Sequence, residues 1–516
     1  MAKNNLGSGV EVIMEDLSGH PSCPHGPALL FRRQNTRFFA CSACRNRKDC
    51  QFFMHEDEWI RKKKSTSAVE DLSRPNRYTF TIPKEDLKLS AQTVKKVKLA
   101  PQLDRAYCHT CSTLFLISET SEKHHKHDVK PNIDSTLLSK PSRILKTLEN
   151  DKKEAQYLFS PQAISTMIDV LTYNKLTNVV CLGTPSIHEH IQENCLEDGM
   201  TSILLDIDSR HGAFYKANKF CHYNIFNNYF FNGEQATAIF DEFLQQNGGK
   251  NMVLIMDPPF GGRIEPLAQT LREISKRHRE VNKIKNGEKD DALVPIMLVL
   301  PYFMEPQIKN HAPFLEMCDY QITYDSHLNF KEQKASKHGS PVRLFTNIPL
   351  KNFKLPTEDG YTFCRPCLKW IGDWNNHCNK CKSCTSKNGS TYVHCNTCQR
   401  CVKPSWEHCE YCNRCTLKAH YCGVVLKEQA CFNCKEVGHK KADCPKAEVV
   451  QPKKRKHEKG IEAESPKKIV RRENKKLADL QKDTGKPEPA KPKRNKKKER
   501  KARLKLNRKT ASVVST

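Results

Sequence analysis

The segment Asp257-Pro258-Pro259-Phe260 places a carboxylate, two prolines and an aromatic ring directly after a short apolar run at residues 253–256. A short, continuous apolar run bounded by turn formers predicts a buried parallel strand. The two prolines supply no backbone N–H donors and stiffen the turn, so Asp257 and Phe260 should be presented rigidly at the carboxyl end of this strand. Ligands bind at that edge in open α/β sheets.

This arrangement suits chemistry on an exocyclic amine. The N6 amine of adenine is a poor nucleophile because its lone pair is delocalised into the ring. A carboxylate and the carbonyl of Pro258 that accept its two N–H bonds would favour the more nucleophilic form, while Phe260 stacks on the base. A strong general base is unnecessary, since the proton can leave after a methyl group has arrived. Taken alone, the same residues also fit an acidic turn after a core strand.

The residues around this segment predict the elements that position it. Ser160 and Pro161 are typical of the N-cap and the first residue of a helix. The sequence predicts strands at residues 179–182, 202–205, around 223–226, 253–256 and 295–300, and helices at 234–246 and 265–278. Strands that alternate with helices predict an α/β fold, with parallel strands and helices on both faces.

The ends of the first two strands predict a crevice that binds a nucleoside. Cys181, Gly183 and Thr184 end the first strand, and Asp206 and Asp208 end the second. One carboxylate can accept both ribose hydroxyls, and the amides after Gly183 can receive a carboxylate or a phosphate. Strand parity decides which acid faces the ribose, and Asp206 is preferred. The three-glycine fingerprint is absent, so this loop by itself also fits a plain strand-ending turn.

The succession Phe-Ser-Pro-Gln, Cys-Leu-Gly-Thr-Pro, Leu-Asp-Ile-Asp and Asp-Pro-Pro-Phe resembles the class I adenine-N6 methyltransferases, which bind S-adenosylmethionine. The resemblance implies a Rossmann-like core over residues 151–350 and catalytic roles for Asp257, Pro258, Pro259 and Phe260. It also implies cofactor contacts by Gln156, Tyr157, Phe159 and Ser160 at the flank, Gly183 and Thr184 at the amino-acid end, Asp206 at the ribose and Asn224 at the adenine, with Cys181 and Asp257 completing the set.

The chain contains 25 cysteines, mostly in Cys-x-x-Cys pairs with histidines between them. This pattern favours zinc sites in a reducing intracellular compartment over disulfides. No N-terminal apolar segment suggests secretion, and no run approaches the roughly 20 apolar residues of a membrane span. The net charge of +28 indicates a polyanionic partner, in the first place nucleic acid.

A first zinc module is predicted at residues 21–65, after a flexible N-terminus at 1–20. Its expected ligands are Cys23, His25, Cys41 and Cys50, with Cys44 as the alternative to Cys41. The pattern resembles the GRF-type finger, a family that binds single-stranded nucleic acid. Nearby arginines and phenylalanines suit phosphate contact and base stacking, although the rings could equally form the small core of the module: Arg32, Arg33, Arg37, Phe38 and Phe39.

A second zinc site is predicted in the connecting region at residues 66–150, at about 105–130. Its expected ligands are Cys108, Cys111, His124 and His127. The interval between the cysteine pair and His124 is that of a C2H2 finger, but the histidines lie closer together than usual. His125 could replace either histidine.

A cysteine-rich region at residues 361–424 contains ligands for four tetrahedral sites, whose pairing cannot be read from their order. The expected ligands are Cys364, Cys367, His377, Cys378, Cys381, Cys384, His394, Cys395, Cys398, Cys401, His408, Cys409, Cys412, Cys415, His420 and Cys422. The region resembles the DHHC cysteine-rich domain of palmitoyltransferases, but those enzymes need membrane spans and the motif here reads Trp406-Glu407-His408-Cys409. A zinc scaffold braced against the catalytic domain is therefore expected.

Residues 429–446 contain a Cys-x2-Cys-x4-His-x4-Cys knuckle formed by Cys431, Cys434, His439 and Cys444. Knuckles of this kind bind unpaired bases of single-stranded RNA, although a purely structural knuckle has the same spacing. The tail at residues 447–516 is expected to be disordered. From Gln451 onward it contains 25 Lys and Arg against 8 Asp and Glu, which places +17 of the net charge there. This composition predicts nuclear or nucleolar targeting, with some cytoplasmic presence, and non-specific RNA affinity.

The order of all these modules resembles a family of ribosomal-RNA N6-adenosine methyltransferases. The resemblance implies S-adenosylmethionine and zinc as cofactors, and one adenosine in a loop or single-stranded part of large-subunit ribosomal RNA as the substrate. The alternative is a non-catalytic RNA-binding or ribosome-assembly factor with a degenerate methyltransferase fold, because the Gly-Thr-Pro loop is atypical. Methylation of DNA adenine would use the same site, but the knuckle and the tail favour RNA.

Overall fold

The computed structural model describes residues 10–14, 16–44, 50–65, 84–120, 122–146, 157–284, 293–325, 338–418 and 420. Several predicted features lie outside these residues: Gln156, Cys422, the knuckle residues Cys431, Cys434, His439 and Cys444, and the basic tail. Among the described residues, no helix combines the length and apolarity that a membrane span requires.

An eight-stranded mixed sheet forms the centre of the fold. In chain order its strands are β1 (Asn178–Leu182), β2 (Thr201–Asp206), β3 (Phe220–Asn224), β4 (Tyr229–Phe230), β5 (Met252–Met256), β6 (Ile296–Pro301), β7 (Glu316–Met317) and β8 (Val342–Thr346). Their order across the sheet is β4-β3-β2-β1-β5-β6-β8-β7. The five strands β1, β2, β3, β5 and β6 are parallel, whereas β4, β7 and β8 pair antiparallel with their neighbours.

Helices cover both faces of this sheet. They are α1 (Pro161–Tyr173), α2 (Pro185–Asn194), α3 (Gly233–Leu244), α4 (Ile264–Val281) and α5 (Glu305–His311). Successive strand residues point to opposite faces. Val180 and Leu182 of β1 therefore pack in one apolar core with α3, α4 and α5, while Val179 and Cys181 pack in a second core with α1 and α2.

The predicted α/β fold is confirmed, with differences at its edges. The third strand is Phe220–Asn224 rather than a strand around 223–226, because the chain turns after Asn224 and returns antiparallel as β4. The strands β7 and β8 and the helices α2 and α5 were not predicted. The sheet is consequently mixed, since β8 pairs antiparallel with β6 from Met297↔Thr346 to Pro301↔Val342.

The first zinc module is a small antiparallel sheet with one helix. Its four strands are Val10–Ile13, Leu29–Arg33, Thr36–Ala40 and Phe53–His55, followed by the helix Glu56–Ser65. A short hairpin pairs Ser22–Cys23 with Gly26–Pro27. The connecting region follows it in sequence. Its described part, residues 84–120 and 122–146, has a three-stranded sheet and three α-helices: strands Arg105–Cys108, Thr113–Leu116 and Val129–Pro131, and helices Lys84–Leu99, Ile117–Thr120 and Ser135–Ser139.

The cysteine-rich region contains four consecutive β-hairpins. They pair Tyr361–Cys364 with Lys369–Gly372, His377–Cys378 with Ser383–Cys384, Val393–Cys395 with Arg400–Val402, and Trp406–Cys409 with Arg414–Leu417. Short 3-10 helices connect elements throughout the described residues: Leu17–Gly19, Gln102–Asp104, Glu122–His124, Pro141–Arg143, Ser209–Ala213, Ala217–Lys219, Gln246–Gly249, Tyr302–Met304, Leu350–Asn352 and Thr357–Asp359.

Candidate functional site

The carboxyl ends of β1 and β5 bring the Gly183 loop against the Asp-Pro-Pro-Phe segment. The backbone N–H of Asp257 donates to the carbonyl of Leu182 at 3.1 Å. Gly183 has φ +66°, and a Cβ added there would lie 3.3 Å from the carbonyl oxygen of Asp257. A side chain at position 183 would therefore be both strained and crowded. The chain uses glycine to let the two loops meet.

The Asp257 carboxylate lies half-buried at this edge and has one hydrogen-bond donor that the sequence did not indicate. The hydroxyl of Tyr324 lies 3.2 Å from each carboxylate oxygen. Burial raises the pKa of Asp257 well above its usual value, while the hydrogen bond from Tyr324 acts in the opposite direction. Tyr324 is 67 residues away in sequence. No local motif connects it to the acid.

Tyr324 belongs to a cluster of four aromatic rings. Tyr324 stacks on Phe159 with ring centroids 5.1 Å apart, and its ring also lies 6.2 Å from Phe260 and 5.8 Å from Tyr157. Phe159 and Tyr324 are fully buried, whereas Tyr157 and Phe260 are half-buried and lie 6.3 Å apart. The two half-buried rings are therefore the ones available to a planar base.

Ser160 has structural contacts in this site. Its hydroxyl accepts from the N–H of Ala163 at 3.2 Å, as the predicted N-cap of α1, and lies 2.6 Å from the hydroxyl of Thr323. Its N–H donates to the carbonyl of Thr323 at 3.0 Å. Within the flank predicted to contact the cofactor, Phe159 and Ser160 thus hold the segment in place, and the Tyr157 ring is the part that reaches Phe260.

Two acids follow β2, and their surroundings differ. Asp208 forms a two-point ion pair with Arg210, at 2.8 Å and 2.7 Å. Asp206 accepts the N–H of Asp208 at 2.8 Å and forms no salt bridge with any residue that the structure describes. Burial raises the pKa of Asp206 to about 7. The pairing of Asp208 with Arg210 supports Asp206 as the acid for a ribose.

The loop between β1 and α2 has the features that a nucleoside sulfonium cofactor needs. Gly183 has the left-handed conformation described above, and the Thr184 hydroxyl is buried without a hydrogen bond of ordinary geometry to the described residues. The neighbouring Cys181 is fully buried, and burial raises the pKa of its thiol to about 12. The left-handed Gly183 loop and the Asp206 carboxylate, at the ends of neighbouring strands, fit S-adenosylmethionine at this edge, whereas the side chains of Cys181 and Thr184 are buried.

Asn224, the residue predicted to meet the adenine of the cofactor, contacts the first zinc module. Its side-chain N–H groups donate to the carbonyl of His25 and to the hydroxyl of Ser42, both at 2.8 Å, and its side-chain oxygen accepts from the N–H of Phe226 at 3.0 Å. Both side-chain N–H groups and one lone pair of the side-chain oxygen are thus used within the protein. Asn224 anchors the first zinc module, and its contact with the cofactor's adenine stays a prediction.

The first zinc module brings its predicted ligands together. The ligand atoms of Cys23, His25, Cys41 and Cys50 all lie within 4.8 Å of one another. Cys44, the alternative to Cys41, donates its backbone N–H to the Cys41 sulfur at 3.3 Å. The Cys44 sulfur also lies 3.6 Å from Nε2 of His25. The structure therefore groups Cys41 with the ligands, while Cys44 lies beside the same group and its amide supports the Cys41 sulfur.

The aromatic and basic residues of this module divide between core and surface. Phe39 is buried in the module, while Phe38 is half-buried and stacks on Phe31 with centroids 5.6 Å apart. Arg32 pairs with Glu11 at 2.6 Å and Arg37 pairs with Glu56 at 3.0 Å. Phe39 therefore belongs to the core of the module, and the two arginines have acidic partners in addition to any phosphate.

The second predicted site also forms as a compact group. The ligand atoms of Cys108, Cys111, His124 and His127 lie within 4.8 Å of one another, and the Cys111 sulfur lies 3.3 Å from Nδ1 of His127. This grouping uses His124 and His127 and leaves out His125, the alternative histidine. Two cysteines and two histidines fit a tetrahedral zinc ion.

The cysteine-rich region pairs its ligands across successive hairpins. The three groups within 4.8 Å are Cys364, Cys367, His377 and Cys384; Cys378, Cys381, His394 and Cys401; and Cys395, Cys398, His408 and Cys415. In each group, the turn of one hairpin supplies two cysteines, and the strands of the next hairpin supply a histidine and a cysteine. The second and third hairpins therefore each contribute to two neighbouring sites.

The fourth predicted zinc site of this region lies only partly within the described residues. The Cys412 sulfur lies 3.5 Å from Nε2 of His420, and Cys409 precedes Cys412 in the turn of the fourth hairpin. The predicted partner Cys422 lies outside the described residues. The geometry of Cys412 and His420 continues the pattern of the preceding three groups.

The fold and this site together define an S-adenosylmethionine-dependent N6-adenine methyltransferase that carries several zinc modules. The family model "Probable N6-adenine methyltransferase" matches residues 150–348, and the zinc knuckle model matches residues 429–446. The same chemistry was predicted from the Asp-Pro-Pro-Phe segment.

Full-length relatives identify the family. The chain is 41% identical over 449 residues to the rRNA N(6)-adenosine-methyltransferase ZCCHC4 of Homo sapiens, covering 85% of both chains. It is 42% identical over 452 residues to the Bos taurus protein of that name, again covering 85% of both, and 42% identical over 455 residues to the Xenopus tropicalis protein, covering 86% of this chain and 90% of the relative. The chain belongs to the ZCCHC4 family of rRNA N(6)-adenosine-methyltransferases. None of these similarities supports a non-catalytic assembly factor.

Proposed function

We propose that this protein transfers the methyl group of S-adenosylmethionine to N6 of an adenosine in ribosomal RNA. The observation that carries the proposal is the position of Asp257 at the carboxyl end of β5. Its backbone meets the Gly183 loop, and its carboxylate lies 3.2 Å from the hydroxyl of Tyr324, whose ring is next to the half-buried rings of Phe260 and Tyr157. Ribosomal RNA is proposed as the substrate because relatives that align over 85% of the chain carry that activity in their names.

The roles of the site residues follow from their positions. Asp257 and the carbonyl of Pro258 accept the two N–H groups of N6, which directs the amine lone pair out of the ring. Phe260 covers the base, and Asp206 accepts the ribose hydroxyls of the cofactor. Bound S-adenosylmethionine supplies an electrophilic methyl group on its sulfonium. Alignment of the amine with that methyl group accounts for most of the acceleration, because no group in the site has to act as a strong base.

The target adenosine must leave its stack to reach this edge. An adenosine in a loop or single-stranded part of large-subunit ribosomal RNA leaves it at the lowest cost, and this is the substrate that we propose. The first zinc module lies at the same end of the sheet, since the carbonyl of its ligand His25 accepts from Asn224 at the end of β3. Its half-buried Phe38 and the exposed Arg33 offer stacking and phosphate contact to RNA held beside the crevice.

A methylation assay with matched variants tests the proposal. The full-length, zinc-loaded protein is incubated with radiolabelled S-adenosylmethionine and either ribosomal RNA, total messenger RNA or duplex DNA, and the product nucleoside is identified by mass spectrometry. We expect N6-methyladenosine in ribosomal RNA from the wild type and from Asp198→Ala, which alters an exposed acid. We expect none from Asp257→Ala, with RNA binding retained. Methylation by Asp257→Ala, or a preference for DNA, would contradict the proposal.

Nuclear and nucleolar residence is proposed from the composition of the tail at residues 447–516, where basic residues exceed acidic ones about three to one. The tail also supplies non-specific affinity for RNA, which is sensitive to salt. A fluorescent fusion of the full chain should accumulate in nucleoli, and the same fusion without residues 447–516 should spread through the cell. An unchanged distribution of the truncated fusion would remove the tail from this role.

A further inference from the structure

Tyr324 holds the Asp257 carboxylate symmetrically. Its hydroxyl lies 3.2 Å from Oδ1 and 3.2 Å from Oδ2. A hydroxyl has one proton, and O–H···O bonds are usually 2.7–2.8 Å long, so this donor is shared and each oxygen keeps much of its capacity to accept. Such a contact limits rotation of the carboxylate and still leaves lone pairs for a substrate amine.

The ring that carries this hydroxyl is fixed by packing. Tyr324 is fully buried and stacks on Phe159 at an interplanar angle of 25°. Its backbone forms an antiparallel bridge with Phe159, and the neighbouring Asp325 N–H donates to the carbonyl of Leu158 at 2.9 Å. On the other side of the bridge, the Ser160 N–H donates to Thr323. The hydroxyl of Tyr324 therefore has a fixed position from which it can hold the Asp257 carboxylate in one orientation.

The cysteine-rich region also forms hydrogen bonds with the segment that carries Tyr324. The side-chain amide of Asn375 donates to the Asp319 carboxylate at 2.6 Å, and both side chains are almost completely buried. The hydroxyl of Tyr361 accepts the N–H of Gln321 at 3.0 Å. A buried carboxylate needs such a partner. Residues 319–325 thus connect the zinc hairpins to the acid of the Asp-Pro-Pro-Phe segment.

We propose that Tyr324 is a positioning residue of the methyl transfer, whose hydroxyl orients the Asp257 carboxylate toward the N6 amine of the target adenosine. This role rests on the proposed methyltransferase function. This role accounts for the hydroxyl of a fully buried tyrosine that is stacked on Phe159 beside the acid. It also implies that the cysteine-rich region supports the active site through the backbone of residues 319–325.

The test compares Tyr324→Phe with Tyr320→Phe. The first variant keeps the ring and removes only the hydroxyl at Asp257, whereas the second removes a buried hydroxyl of the same segment that donates to the backbone carbonyl of Gln162 at 3.4 Å. We expect kcat of Tyr324→Phe to fall about 10-fold or more, the size typical of a lost hydrogen bond to a charged group. KM for S-adenosylmethionine and affinity for RNA should stay within about twofold, and Tyr320→Phe should match the wild type.

The pH profile separates positioning from a loss of folded protein. The Tyr324 hydroxyl stabilises the ionised carboxylate, so its removal raises the pKa of Asp257 and should move the acid limb of kcat to higher pH. A constant loss of folded protein lowers every rate of one preparation by the same factor, so it does not move the position of the limb. Tyr320→Phe should leave the limb unchanged.

Failure of this inference differs from failure of the function on which it rests. If the wild type does not methylate ribosomal RNA, both are overturned. If the wild type is active and Tyr324→Phe has the same kcat and the same acid limb, only the role of Tyr324 is overturned. A higher kcat in Tyr324→Phe would also overturn it, since the hydroxyl would then be competing with the substrate for Asp257.

Discussion

The side-chain amide of Asn224, the last residue of β3, lies 2.8 Å from the backbone carbonyl of His25, a member of the first cysteine and histidine group. Asn227 adds a second donor to the same carbonyl at 3.0 Å and donates to Pro27 at 2.9 Å. Gly26 lies between them, and a Cβ there would be 2.5 Å from the ring of Tyr229. The first zinc module is therefore attached to the sheet through its ligand-bearing loop.

Replacing Asn224 should reduce stability more than cofactor binding. In Asn224→Ala the His25 carbonyl loses one donor and the N–H of Phe226 loses its acceptor, so we expect the free energy of unfolding to fall by roughly 1–3 kcal/mol. Chemical denaturation measures this loss, with the exposed Asn194→Ala as the control. Calorimetry should show an S-adenosylmethionine affinity within about threefold of the wild type. Weak cofactor binding at unchanged stability would instead support the predicted contact of Asn224 with the cofactor.

Substitutions of Asp206 and Asp208, the two acids after β2, should have different effects on cofactor binding and stability. Asp206→Asn should weaken binding of S-adenosylmethionine about 10-fold or more, because a carboxylate that accepts both ribose hydroxyls is lost. Asp208→Asn removes the two-point contact with Arg210 and should mainly lower the melting temperature. Calorimetric titration with S-adenosylhomocysteine and thermal unfolding measure the two quantities. Equal loss of affinity in both variants would contradict the choice of Asp206.

The raised pKa of Asp206 predicts a dependence of stability on pH. Its folded-state pKa is about 7, against about 3.9 for an unfolded aspartate. The folded state therefore binds more protons than the unfolded state between these values, and the contribution of Asp206 to stability falls as pH rises through this window. Unfolding of the cofactor-free protein, followed from about pH 5 to 8, should show this loss in the wild type and less of it in Asp206→Asn. If the stability of the two proteins changed with pH in parallel, Asp206 would not be the source of the pH dependence.

The interleaved ligands of the cysteine-rich region predict local rather than general metal loss. Cys381→Ser breaks the group formed with Cys378, His394 and Cys401, while the groups on either side keep all four ligands. We expect zinc content to fall by about one ion per chain, because each site is closed by its own four ligands. Elemental analysis of the purified protein measures this, with the exposed Thr397→Ala as the control. Loss of several ions would indicate that the sites form only together.

The link between this region and the active site has its own test. Tyr361→Phe removes the acceptor of the Gln321 N–H at 3.0 Å, three residues from Tyr324, and leaves the ring against Tyr320. We expect a decrease in kcat of roughly two- to tenfold with unchanged zinc content, since the lost hydrogen bond supports the segment and touches no metal ligand. Steady-state kinetics and elemental analysis check both parts. A wild-type kcat would show that the segment keeps its position without this contact.

Local chemistry in the chain was sufficient to predict much of the catalytic core. The apolar run before Asp257 became β5, and Ser160 and Pro161 became the N-cap and the first residue of α1. These features depend on side-chain periodicity and backbone preference over a few residues, which a sequence displays directly. The zinc ligands of the first two modules were likewise recognisable, because zinc requires cysteine and histidine at short intervals.

The sequence by itself therefore determined the class of fold, the residues of the Asp-Pro-Pro-Phe segment and the cysteines and histidines that are candidates for metal binding. Only the tertiary structure decided which ligands share a site, that Asn224 contacts the zinc module, that β8 pairs antiparallel with β6, and that Tyr324 reaches Asp257 across 67 residues. The physical reason is the range of the interactions. Backbone preference and coordination spacing act between near neighbours, whereas pairing of distant residues results from packing of the whole chain, for which short motifs carry no signal.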